Sequence, residues 1–212
     1  MPRGPWVQGQ TWDRLLFAHW RVPYCALRAA VPDTLELDTF AGEAWIGVTP
    51  FVVRWLRPRG APGLMSFPEL NVRTYVVRDG EPGIFFFTLE AASTLAVAGA
   101  RLTYRLPYRR ARMRVTSEGE WTAYRSRRRG AAFAARYRPT GDVFTAEPGT
   151  LVHWFTERYR FYTRRWSADI HHPPWPLQPA EAEIAVNTFA AGPPAHLHFA
   201  ARLDVLAWPP RT

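Results

Sequence analysis

The clearest period-two pattern in the chain runs through Ser66–Val77, SFPELNVRTYVV. Read as a β-strand, it sets Glu69, Asn71, Arg73 and Tyr75 on one face and Leu70, Val72, Thr74 and Val76 on the other, because successive side chains alternate. A carboxylate, an amide, a guanidinium and a phenol thus stand in one line. Two readings fit. The row is the wet face of an antiparallel sheet, or it is a polar wall inside a small barrel, where a few polar groups orient one ligand.

Around this strand the pattern predicts mostly short strands. Arg14–Val22 is apolar and aromatic enough for one, and Tyr24–Val31 is rich in helix formers and closed by Pro32. Leu35–Asp38 alternates briefly. Glu43–Leu56 is a long strand in which Pro50 predicts a bulge or an edge position. Arg57–Gly63 is a loop. Arg78–Gly83 is a turn, and Ile84–Leu89 is apolar on both faces, so Glu69–Arg78 and Ile84–Leu89 form a central hairpin. Ala91–Leu102 is a helix with Ser93 as its N-cap. Ala111–Thr116, Glu120–Ser126 and Ala131–Tyr137 resemble a meander. Pro148–Glu157 is a short helix, Arg158–Thr163 and Ala168–Trp175 are strand candidates, Ala180–Val186 alternates, and His196–Trp208 is the last long strand. No repeat or linker divides residues 1–212, which predicts a single domain.

Composition narrows the classes. Hydrophobic residues make up 47% and aromatic residues 15%, which excludes a disordered chain. No apolar run is long enough for a transmembrane helix, and the first residues lack the apolar stretch of a signal peptide. Cys25 is the only cysteine, so no intrachain disulfide forms. It is expected to pack as a small hydrophobe in a reducing, cytoplasmic setting. All 27 basic residues are arginine, against 18 acidic ones, for a net charge of +9. Acidic ligands suit this balance. A side-chain Schiff base is excluded, since there is no lysine to form it.

Few other groupings carry chemistry. His196 and His198 share a strand face, but a metal site needs a third ligand, so none is assigned. Three arginine clusters (109, 110, 112 and 114; 125, 127, 128 and 129; 158, 160, 164 and 165) read as solvated surface or as a nucleic-acid footprint. Interleaved Tyr108, Tyr124, Tyr137, Tyr159 and Tyr162 are the kind of residue that stacks on single strands, yet no recognised nucleic-acid motif is present. No nucleophile elbow, P-loop or dinucleotide glycine pattern appears.

Five stretches carry a resemblance: LLFAHWRVPYCALRAAVPDTLELDTF (15–40), FPELNVRTYV (67–76), LPYRRARM (106–113), PGTLVHWFTERYRFY (148–162) and IHHPPWPLQPAEAEI (170–184). Together they resemble the YqjF-like family of uncharacterised conserved proteins, which is placed in the acetoacetate decarboxylase-like superfamily. The resemblance implies an α+β, mostly antiparallel β fold: a cone-shaped β-barrel with an internal pocket and a few flanking helices. It implies that Glu69 matches the pocket glutamate of the decarboxylases. Their paired-lysine stretch matches Pro107-Tyr108-Arg109-Arg110-Ala111 here, without its lysines.

The sequence therefore points to a pocket for a small anionic organic molecule, with no cofactor, no metal, no membrane and no specific nucleic acid as partner. A homo-oligomer is left open. Glu69 is the candidate acid–base group and Arg73 the anion holder. Asn71, Tyr75 and Tyr108 orient the ligand, and His172 and Trp175 close the mouth. An enzyme acting on an oxo-acid and a non-catalytic binder or sensor both fit these residues.

Overall fold

The computed structural model describes residues 2–211. Strand β1 (Gln8–Val22) leads into helix α1 (Tyr24–Ala30). The helix stops just before Pro32, where the Arg28 guanidinium gathers the carbonyls of Val31, Pro32 and Leu35 at 2.5–2.8 Å. Next come β2 (Glu36–Leu37), β3 (Ala44–Pro58), β4 (Met65–Arg78) and β5 (Glu81–Ala91). Helix α2 (Thr94–Thr103) begins at Ser93, whose Oγ accepts from the Ala96 N–H at 3.2 Å, as its position predicts. β6 (Tyr108–Arg110) precedes the meander β7 (Arg112–Glu118), β8 (Trp121–Arg128) and β9 (Ala131–Pro139). Helix α3 (Leu151–Thr156), capped by Thr150, is followed by β10 (Arg160–Tyr162), β11 (Ser167–His171), β12 (Leu177–Asn187) and β13 (His196–Ala207).

Hydrogen-bonded neighbours run β1-β3-β4-β5-β10-β11-β13, and β13 pairs back onto β1 from Gln8↔Ala207 to His19↔His196. The path thus returns to its first strand. From β13 the sheet also continues through β12 to β9, β8 and β7. That flap covers the outer side of the first strands: Leu16, Val48, Leu70 and Val72 pack with Tyr124, Phe133 and Tyr137. The ladders are antiparallel except for the short parallel ones that β5 makes with β6 and with β10.

This layering removes the wet-face reading of β4. Every residue from Glu69 to Val76 is buried, so neither face is wet. The strand turns into β5 through Asp79 and Gly80 alone, with φ of +54° and +77°. Two positive φ values in a two-residue loop match the right-handed twist of the strands, and glycine adopts one without strain. Pro50 sits inside β3, opposite Leu70. The irregularity its missing N–H calls for falls in the partner strand, where Arg14–Phe17 of β1 face only Thr49–Phe51 and Arg14 takes φ +53°. Cys25 is a correction: it is exposed, because the only residue α1 buries is Leu27. No described helix is long and apolar enough to cross a membrane.

Gly83 joins β5 to β10. A Cβ there would lie 2.5 Å from Cε2 of Tyr162 and 2.7 Å from the Arg160 carbonyl oxygen. Gly83→Ala should therefore destabilise by about 1–3 kcal/mol through overpacking. Thermal unfolding reads this as a midpoint lowered by several degrees, and an unchanged midpoint would show that the strands part freely here.

Candidate functional site

The inward row of β4 ends in a chamber of about 90 Å³. Glu69, Asn71 and Arg73 line it from β4, Tyr108 from β6, and His172 and Trp175 from the segment after β11. An outer depression of about 600 Å³ adjoins it, walled by α2, the β3–β4 loop and the start of β1. Gln8, Gln10, Glu69, Ala100, Tyr104 and Tyr108 border both spaces, so Glu69 and Tyr108 stand at the throat between them. The chamber equals about three water molecules' share of liquid volume, which suits a ligand of a few heavy atoms.

Glu69 is 5% exposed. The Tyr108 hydroxyl lies 3.0 Å from both of its carboxylate oxygens, and the Tyr124 hydroxyl donates to its backbone carbonyl at 2.6 Å. Among the described residues no arginine pairs with it. Burial consequently raises its pKa from 4.5 to about 8, the Tyr108 hydrogen bond opposing only in part. The Tyr108 phenol is in turn pushed well above its usual range, first by burial and then by Glu69. A carboxyl that keeps its proton at neutral pH can donate it as well as accept one.

Arg73 is also 5% exposed, and its Nε has no hydrogen-bond partner. It lies over the Phe17 ring, 5.2 Å from the centroid, and beside the Tyr75 phenol. No ion pair engages it among the described residues. Arg158 faces the same chamber. Its Nη1 is 2.8 Å from Asp38 Oδ2 and its Nε donates to the Trp154 carbonyl at 2.7 Å, leaving Nη2 unpartnered. Asn71 Oδ1 and the indole Nε1 of Trp12, both on the chamber wall, lack partners too. Buried polar groups are normally satisfied, yet these four unpartnered atoms gather on the wall of one cavity.

Tyr75 does not reach the chamber. It is fully buried beneath α3, with Trp154 at 4.3 Å and Phe155 at 5.7 Å between ring centroids, and its hydroxyl sits 2.7 Å from His19 Nε2. His172 and Trp175 line the chamber, but each is only 2% exposed, so neither closes a mouth open to solvent. His172 Nδ1 is 2.8 Å from the Pro173 carbonyl, which can only accept, so the proton sits on Nδ1. Burial lowers its pKa, and the neutral ring presents Nε2 as an acceptor. Trp175 is fixed by its indole N–H donating to the Thr156 carbonyl at 3.0 Å. The described residues hold no group of three metal-ligating side chains.

The sequence pattern missed Trp12, Tyr104 and Arg158 as chamber residues. Gln8, Gln10 and Trp12 do alternate, but the apolar and aromatic run that marks a strand begins only at Arg14. Arg158 belongs by sequence to an arginine cluster of surface type, yet it is buried.

Solved structures place the fold among acetoacetate decarboxylase-like proteins. MppR, an enduracididine biosynthesis enzyme, complexed with pyruvate superposes with a TM-score of 0.67 at 13% identity, over 100% of this chain and 91% of that one. Its complex with the condensation product of pyruvate and imidazole 4-carboxaldehyde gives 0.68 at 11%, over 98% and 89%. Acetoacetate decarboxylase from Legionella pneumophila gives 0.63 at 13%, over 99% and 90%. The chain is 48% identical to the uncharacterized protein YqjF of Bacillus subtilis (strain 168), over 100% of this chain and 94% of the relative. It belongs to the YqjF-like family, the uncharacterized conserved proteins of DUF2071, whose pattern matches residues 9–204.

Proposed function

We propose that the chamber binds a small carboxylate-bearing carbonyl compound and that Glu69 exchanges a proton with it. The observation that carries this reading is a buried Arg73 without a counter-charge, sharing one cavity with a Glu69 held neutral. A ligand carboxylate supplies the missing charge and accepts from Nε, with Arg158 Nη2 as a second donor. Asn71 and Tyr108 orient the carbonyl end. With its pKa near 8, Glu69 at neutral pH gives its proton to the developing enolate oxygen while Nε2 of neutral His172, on the same wall, takes the proton that leaves the adjacent carbon; above pH 8 the ionised Glu69 takes that carbon-bound proton itself. The chain has no lysine, so activation rests on hydrogen bonds and charge rather than an iminium.

In this reading the strand path that returns to β1 is the cone-shaped barrel, in one domain spanning 1–212, and the disulfide-free chain works in the cytoplasm. The absence of any side-chain amine favours a second reading, a non-catalytic binder or sensor using the same chamber.

Because MppR is known complexed with pyruvate, pyruvate is the first probe. Calorimetry should show saturable binding of pyruvate and none of acetone, which lacks the carboxylate. Proton NMR in deuterium oxide should then show accelerated loss of the pyruvate methyl signal, and borohydride should trap no side-chain adduct. If neither pyruvate nor acetoacetate binds, the reading fails. Binding without methyl exchange would leave the sensor.

A further inference from the structure

We propose that an arginine-lined hollow on the outer flap binds a small molecule carrying two or more linked phosphate groups. The hollow measures about 540 Å³ and shares no lining residue with the chamber. Arg110, Arg112, Arg127, Arg128 and Arg129 surround it. The carboxylate engaged there is that of fully buried Glu90, which accepts from Arg128 Nε at 2.6 Å and from the Ser126 hydroxyl.

The register is what sets this surface apart. Arg112 on β7 stands directly opposite Arg127 on β8, and Arg114 directly opposite Arg125. All four are exposed and, at alternate positions, share one face. Like charges placed opposite each other weaken a sheet. The β9–β12 ladder follows the other rule. There Arg136 faces Glu183 and bonds it at 2.7 and 2.6 Å, Arg138 faces Glu181 and bonds it at 2.5 Å, and both guanidiniums lie over Trp121. The flap therefore neutralises arginines at one end and opposes them at the other, where an anion from outside balances the charge.

Arginine's planar fork fits phosphate oxygens. Side chains two residues apart on a strand are roughly 7 Å apart, and directly opposed ones roughly 5 Å. That grid spans neighbouring phosphates better than it grips a single one. The hollow falls within the size range of small-ligand clefts. A nucleic-acid strand fits less well, because the tyrosines interleaved with these arginines are unavailable for stacking. Tyr124 and Tyr137 are fully buried, and their hydroxyls donate to the Glu69 and Arg14 carbonyls.

Calorimetry at low ionic strength tests the site, with pyrophosphate as the probe. Pyrophosphate should bind at one per chain, about tenfold or more tighter than orthophosphate. The double variant Arg112→Gln/Arg127→Gln should weaken it about tenfold or more, the loss of at least one charge-assisted contact. Removing opposed like charges should leave the melting midpoint unchanged or raised, which shows that the fold is intact. Arg136→Gln, outside the hollow, should change pyrophosphate affinity less than about twofold. Pyrophosphate failing to saturate, or binding the double variant as it binds the parent, would overturn the proposal. So would a single-stranded oligonucleotide displacing pyrophosphate at lower phosphate concentration, since the surface would then be a nucleic-acid site.

Discussion

Glu69→Gln should make the protein more heat-stable than its parent above pH 8 and leave the two alike below pH 5. The parent's buried carboxyl holds its proton up to about pH 8, whereas in the unfolded chain it ionises near 4.5. The folded state thus binds more protons between those values. Its stability is whole below 4.5, falls as pH rises toward 8, and stays reduced above, by on the order of 4–5 kcal/mol. Glutamine keeps the shape and the partner for Tyr108 but does not titrate. On a chain of this size the gap between melting midpoints should approach roughly 10 °C at pH 9. Scanning fluorimetry of both proteins from pH 4.5 to 9.5 measures it, and parallel curves would mean that Glu69 ionises like a surface carboxylate. Any proton-exchange activity should fall by roughly 10²-fold or more in the same variant.

Arg73→Met should move stability and binding in opposite directions. Methionine fills similar space without a charge, and replacing buried ionic groups by apolar ones of like volume is often neutral or stabilising by about 1–4 kcal/mol. The ligand-free midpoint should hold or rise. Pyruvate affinity should fall about 10²-fold or more, because a buried carboxylate would then lack its cation. Arg73→Lys, which keeps the charge without the fork, should lie between. A lower midpoint with pyruvate binding retained would assign Arg73 to the support of Phe17 and Tyr75.

Much of this site was legible in one strand. The alternation through Glu69, Asn71 and Arg73 set three chamber residues in a row before any packing was known. Which face lay inward was not legible, because β4 is buried on both, and only the folding of β7–β9 over Leu70 and Val72 separates the two. Tyr75 continues the row by spacing, yet α3, brought from far along the chain, covers that end with Trp154 and Phe155. The segment just after this helix delivers Arg158, whose tie to Asp38 no local pattern records. Tyr124 and Tyr137 read as stacking platforms among arginines. Period two placed them instead on the inner side of the flap, where Tyr124 holds the main chain of Glu69.

The pairing of β1 with β13 also governs when the chamber can exist. It joins Gln8 to Ala207, nearly the whole length of the chain. A ribosome delivers residues 196–207 long after β1, so until they emerge β1 lacks its second partner and the chamber lacks Ala207 on its wall. Such long-range closure is slow and leaves strand edges open meanwhile. The chamber is thus complete only once β13 has paired, and a chain halted before β13 holds the whole β4 row beside a sheet whose path has not yet returned to β1.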